Sequence, residues 1–192
     1  MLLRTISDGL AYCVPLVVAV GAGLLIRVAS GRSTRTLAEI AVSHGWLVWA
    51  GAAVPIALLP ITRNPDSLRL RPLVWVVCGC LYLVFCWLNR RQFGYGLVAV
   101  GVAANIFAML TSGGMPVVAS NASGYVTLSR QDLRGRFEVR LRGGAAAFLG
   151  DWLPIPSVAG GLLLSPGDCL LLAGLAAILA TSEARTSRAE SE

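Results

Sequence analysis

The sequence predicts an all-α membrane protein: a five-span transmembrane helix bundle with an extracytoplasmic loop region in which a short β-hairpin is one reading. Three observations lead there. The chain of 192 residues is 56% hydrophobic and only 14% charged, with a mean hydropathy of +0.71, whereas a soluble domain is about 25% charged. The apolar residues come in long blocks, several near the roughly twenty residues a helix needs to cross hydrocarbon. Short links bearing arginine, glycine or proline separate the blocks.

Taken in order, the spans are read at 9–26, 42–61, 73–89, 95–111 and 166–181, within one transmembrane domain covering 1–192. The first run is too long for a simple signal-peptide core, and no small-x-small cleavage site with a mature soluble domain follows it, so it reads as a span. Two prolines in "TRNPDSLRLRP" break the second span from the third, and "RRQ" with "GYG" makes a short turn before the fourth. The long polar stretch 112–157 is the extracytoplasmic loop. Within it, 136–142 alternates polar and apolar residues as a half-buried strand does, with 124–129 as its expected partner. Leu133, Phe137 and Leu141 also fit a helical stripe lying on the bilayer surface, so both readings stay open, with the strand preferred.

All sixteen basic residues are arginine, against ten acidic ones, for a net charge of +6. No basic module stands outside the apolar blocks, which excludes nucleic acid and leaves the lipid bilayer as the partner of that charge. Arg27, Arg32, Arg35, Arg90, Arg91, Arg185 and Arg188 fall on one side of the predicted bilayer, and Arg4, Arg63, Arg69 and Arg71 on the other. The richer side is cytoplasmic. The N-terminus is then outside, the C-terminus inside, and the lack of lysine suggests a GC-rich bacterial genome, hence a bacterial plasma membrane. Trp46, Trp49, Trp75, Trp87, Trp152, Tyr82 and Tyr95 mostly fall near span ends, as interfacial aromatics do. The five cysteines, Cys13, Cys78, Cys80, Cys86 and Cys169, all lie in apolar runs and read as small packing residues. No C-x-x-C or histidine pairing implies a metal, and no cofactor is implied.

Two carboxylates carry the candidate chemistry. Ser165-Pro166-Gly167-Asp168 opens the last helix with a capping serine, a proline at the first helical position and an acid facing the positive end of the dipole. A helix over 166–181 is about 24 Å long, so Asp168 sits at or just below the outer interface. Asp151 precedes "WLPIP", whose prolines extend the chain. They are the only carboxylates from 139 to 182. Each has an ordinary reading, Asp168 as a helix cap and Asp151 as a loop anchor. Ionisable groups at membrane depth are nonetheless functional candidates, and two aspartates brought together share one proton, so that one acts as base on water and the other as acid. That chemistry needs no metal, and it requires the 152–164 link to fold back. Asn105, inside the fourth span, needs a partner: an interhelical hydrogen bond or a substrate. Gly113-Gly114 before Met115-Pro116 reads as the turn ending that helix.

"LGDWLPIP…SPGDCLLLAGLAAIL", "NIFAMLTSGGMPV" and "LLIRVASGRSTRTLAEI" resemble the C-terminal end, the stretch after the penultimate helix and the Gly-Arg link of a bacterial multi-pass membrane family, domain-of-unknown-function family 5317. Ser112 stands where that family's stretch has asparagine. The resemblance implies a bacterial membrane location and no particular activity. "GDWLPI" and "PGDCLLLAGL" are also similar, in order and setting, to the two aspartate regions of the lipoprotein signal peptidases, small membrane aspartic peptidases. The Gly-Asn…Asp-Arg motif of those enzymes is missing.

Two functional readings follow. In the first, the protein is a membrane aspartic hydrolase acting on a membrane protein or lipoprotein. Asp151 and Asp168 are the catalytic pair, and Asn105, Gly114, Met115 and Trp152 contact substrate. In the second it is a non-enzymatic scaffold, assembly factor or complex subunit whose aspartates are structural. A small-solute carrier is disfavoured, because five spans without an internal repeat do not suggest alternating access.

Overall fold

The structure, a computed structural model, describes residues 2–34, 42, 44–57, 70–112, 114–118, 138–141, 148–155 and 162–182. The elements are α1 (Leu2–Ala29), α2 (Trp46–Ala57), α3 (Leu70–Leu88), α4 (Phe93–Ser112), β1 (Met115–Val118), β2 (Glu138–Leu141), β3 (Leu153–Ile155), β4 (Leu162–Leu164) and α5 (Pro166–Thr181). The protein is mainly helical, and the helices overlap the expected spans, the second only over 46–57, since 42 and 44–45 are not helical and 58–61 lie outside the described residues. The fifth coincides with α5. The first lies within α1, which is longer at both ends, beginning at Leu2 rather than residue 9 and running on through Arg27. Among the described residues, α4 alone is long and apolar enough to cross a membrane, at 20 residues or about 30 Å. Val14–Ala29, Leu73–Leu88 and Pro166–Thr181 are shorter apolar helices.

Local chemistry sets the helix ends. Gly31 takes the left-handed conformation, φ +72°, and its N–H donates to the Val28 carbonyl while Arg32 N donates to the Arg27 carbonyl. This is a glycine C-cap, open to a residue without a Cβ. Between α3 and α4 the Asn89 side chain donates to the Phe85 carbonyl at 2.8 Å and Tyr95 N to the Gln92 carbonyl at 3.1 Å. So short a connection makes the two helices antiparallel neighbours.

The helices pack in a row, in the order α1, α5, α4, α3, α2. The last helix in sequence is thus inserted between the first and the fourth. The expected bundle is, among the described residues, an open layer whose outermost members α1 and α2 share no substantial contact. Successive helices alternate in direction. Leu47 at the start of α2 clusters with Phe85 and Cys86 at the end of α3 and Tyr95 at the start of α4, with Phe85 and Tyr95 edge to face at 5.5 Å. The C-terminal ends of α1 and α5 join them there.

The closest helix pair is α4 with α5. Gly94 faces Gly174 and Ile178, and Gly101 faces Gly167 and Leu171. A Cβ on Gly94 would meet the Gly174 carbonyl at 2.7 Å, and one on Gly101 the Gly167 carbonyl at 2.5 Å. Glycines seven residues apart on each helix let the two backbones touch, the packing typical of helices in lipid. Away from these seams the helices turn apolar side chains outward: Val17, Leu25 and Ile26 on α1, Leu73 and Val84 on α3, Val100, Phe107 and Leu110 on α4 are all exposed.

Four short strands lie at the end where α4 finishes and α5 starts. β1 pairs in parallel with β2, Met115 opposite Glu138 and Val118 opposite Leu141. β3 pairs antiparallel with β4, Leu153 opposite Leu164. Residues 138–141 are therefore strand rather than surface helix, and their described partner is β1. The expected partner, 124–129, lies outside the described residues.

Candidate functional site

The start of α5 is closed by a reciprocal cap. Ser165, in extended conformation (φ −85°, ψ 160°), accepts the Asp168 N–H on its Oγ at 2.9 Å, and Asp168 Oδ2 accepts the Ser165 N–H at 3.1 Å. Two backbone donors that a helix start leaves without partners are thereby satisfied. The carboxylate also lies in the first turn, where the helix dipole favours it.

Asn105 extends the cap across the helix interface. Its Nδ2 donates to Asp168 Oδ1 at 2.8 Å, and its Oδ1 accepts from Ser165 Oγ at 2.9 Å. Asn105, Ser165 and Asp168 thus form a closed ring of hydrogen bonds in which the amide presents its donor to the carboxylate and its acceptor to the hydroxyl. Ser165 is fully buried and the other two are half-buried. Glycine at 167 makes the approach possible, since a Cβ there would fall 1.9 Å from Asn105 Oδ1.

Asp151 is half-buried. It forms a parallel bridge with Val117, and its N–H donates to the Pro116 carbonyl at 2.7 Å. Gly150 lies tight on Pro116, where a Cβ would stand 2.1 Å from the carbonyl oxygen. On the other side Trp152 N donates to the Leu164 carbonyl at 3.3 Å. The 152–164 link does fold back, as β3 against β4. The hydrogen bonds of Asp168 nevertheless go to Asn105 and Ser165, and none joins it to Asp151.

The remaining predicted residues have local partners. Gly114 is buried and its N–H donates to the Met109 carbonyl, ending α4. Met115 is half-buried at the head of β1. The Trp152 indole N–H donates to the Phe148 carbonyl at 2.8 Å, with the two rings 6.2 Å apart. Ser112 Oγ is buried without a hydrogen-bond partner among the described residues. Among those residues no three His, Cys, Asp or Glu side chains converge as metal ligands.

Sequence reasoning counted Arg27 as a loop charge. It is instead 1% exposed and clamps the far end of α5. Its Nη1 donates to the carbonyls of Leu179 at 3.0 Å and Ser182 at 2.7 Å, and its Nε to Ser33 O at 2.8 Å. Arg32 donates to Ala180 O at 2.9 Å, and the Ser182 hydroxyl lies 3.2 Å from Gln92 Oε1. A helix C-terminus leaves carbonyls unpaired and carries partial negative charge, which a guanidinium answers on both counts. A signal was present in the sequence. Arg27 follows Gly23 by four residues, so it continues the helix face on which Gly23 meets Ala176 and Leu179.

Fold and site together define a helical protein with outward apolar faces, whose last helix is held at both ends by polar side chains from other helices. A family model described as "Family of unknown function (DUF5317)" matches residues 39–180, and the chain belongs to that family. The matched segment takes in α2 through the body of α5, including Asn105, Asp151, Ser165 and Asp168. No curated protein and no solved structure matches the chain.

Proposed function

We propose that the protein crosses a bacterial plasma membrane five times and acts there as a non-enzymatic scaffold or complex subunit, with α5 as its fixed post. Several features support the membrane reading. Only 28% of the apolar window of α4 is buried within the protein, whereas a core helix of a soluble domain is mostly covered. Large exposed side chains on α1, α3 and α4 are apolar, and contiguous apolar surface of that kind calls for lipid or a partner. The helix directions alternate as a serial crossing requires. Arg27, Arg32, Arg90 and Arg91 gather at one end, which is cytoplasmic by the arginine rule, so the strands and Asp168 lie outside.

One observation supports the scaffold over the enzyme: both Asp168 oxygens are engaged, one by a neighbouring helix and one by the cap. Catalytic use requires a carboxylate that faces water and trades a proton. Asp168 instead joins α4 to α5. The test replaces Asp151 and Asp168 singly by asparagine in the producing cell and compares the membrane proteome. Unchanged processing of every membrane protein in both variants is expected. A precursor that accumulates uncleaved in both, with the variants folded, overturns the reading.

The fold-back of β3 on β4 favours a second reading. It ties Trp152, next to Asp151, to Leu164, just before the α5 cap, and an approach of Asp168 to Asp151 would create an aspartic dyad serving a peptidase-like hydrolase. Accumulation of an uncleaved precursor in the same experiment is the result that reading requires.

A further inference from the structure

At the end opposite Asp168, the turn between α3 and α4 holds Arg90 and Arg91, both exposed. The Arg90 guanidinium lies 4.1 Å from the centroid of the Trp87 ring, and Arg91 forms no hydrogen bond or ion pair with any described residue. Around the turn, exposed aromatic surface is concentrated: Trp87 is 65% exposed, Phe93 73%, Trp46 62% and Trp49 77%. The packing of Leu47 on Phe85 and Tyr95 brings the start of α2, with its two tryptophans, level with this turn. The described acidic residues, Asp8, Glu138, Asp151 and Asp168, all belong to the opposite end or the early turns of α1. Among the described residues, then, no carboxylate neutralises Arg90 or Arg91.

Exposed indoles beside unpaired guanidinium groups suit one environment in particular. Tryptophan rests at the boundary between hydrocarbon and headgroups, and a guanidinium fork matches the oxygens of a phosphate. Stacking on Trp87 holds Arg90 near that boundary without consuming its N–H donors. We infer that the Arg90–Arg91 turn, flanked by Trp87 and Trp46, is a docking site for the phosphate of an anionic phospholipid headgroup in the leaflet on the arginine side. The inference rests on the membrane-crossing reading above and adds a lipid preference to it.

The experiment uses the full chain in a neutral detergent containing equal amounts of phosphatidylcholine and phosphatidylglycerol, with retained lipids counted by native mass spectrometry. The wild type is expected to retain phosphatidylglycerol preferentially. The preference should fall about fivefold for each arginine removed in Arg91→Gln and in Arg90→Gln/Arg91→Gln, the effect of one basic side chain near an anionic leaflet. It should also weaken with added salt. Because Arg91 is exposed and makes no hydrogen bond or ion pair with a described residue, the single variant tests the site without disturbing the fold. Equal retention of both lipids by the wild type overturns the site, as does an unchanged preference in the double variant. Release of the chain from membranes by alkaline carbonate overturns the membrane reading and the site with it, whereas membrane retention without lipid preference overturns the site alone.

Discussion

Asn105 and Asp168 are 63 residues apart in the chain, yet the amide of one donates to the carboxylate of the other across 2.8 Å. With Ser165 between them, the contact turns an ordinary helix cap into a joint between two helices. At the opposite end of α5, Arg27 fills the corresponding role for the terminal carbonyls. The helix is pinned at both ends by side chains from α4 and α1, and four glycines let it lie directly on α4.

Gly167→Ala and Gly96→Ala should behave in opposite ways. A methyl at 167 would overlap the Asn105 side-chain Oδ1 at 1.9 Å, while one at 96 meets nothing within 4 Å. Unfolding in detergent, followed by helical circular dichroism, should show Gly167→Ala destabilised by about 1–3 kcal/mol. Gly96→Ala should be unchanged or up to about 1 kcal/mol more stable, from helix propensity. Equal behaviour of the two would contradict the tight α4–α5 joint.

Arg27→Ala should be among the most damaging substitutions in the chain. It strands the carbonyls of Leu179 and Ser182 in a buried setting, and hydrogen bonds from charged donors contribute about 1.5–3 kcal/mol each. A loss of about 3 kcal/mol in the same unfolding assay is expected. Arg27→Lys should recover only part, because one ammonium nitrogen can replace Nη1 on the two α5 carbonyls but has no counterpart of Nε to hold Ser33 O as well. Full recovery by lysine would mean that charge alone matters at this site.

Ser165→Ala removes the acceptor for the Asp168 N–H and the donor to Asn105 together. A lost N-cap costs about 1 kcal/mol, and a little more is expected here because Asn105 Oδ1 loses its donor as well. Calorimetric melting of the variant beside the wild type gives the value. A change below about 0.3 kcal/mol would show the cap to be dispensable.

Gly150→Ala separates the strands from the helices. Its Cβ would strike the Pro116 carbonyl at 2.1 Å, forcing apart the contact through which Asp151 bridges Val117. Limited proteolysis should cleave the variant between 114 and 164 faster than the wild type, with helical content unchanged. Identical digestion patterns would refute the bridge.

Much of this could be read along the chain, and what could not follows a physical pattern. Ser165-Pro166-Gly167-Asp168 announced the start of α5 because capping is local: donor, acceptor and helix lie within four residues. The block lengths announced the helices for the same reason. The partner of Asp168 was not legible. Nothing near residue 168 selects Asn105 over any other polar group, and the choice is made by the seven-residue glycine spacing on both helices, which only acts once they pack. Arg27 was misread because an arginine at the end of an apolar run looks alike whether it meets water or carbonyls. The strand over 138–141 was visible in its alternation, but its parallel pairing with β1 was not, since alternation marks a face and not a neighbour. The fold-back of 152–164 was legible only as something that its prolines and glycines permit and the dyad requires, while the engagement of Asp168 away from Asp151 depends on α4 and lay beyond any local pattern.

The most direct test of the joint is a double-mutant cycle: Asn105→Ala, Asp168→Ala and the pair, each unfolded in the same detergent. A coupling of about 1–2 kcal/mol is expected, the range for a charged interhelical hydrogen bond. Additivity of the two single effects to within about 0.5 kcal/mol would contradict it and leave Asp168 available for other chemistry.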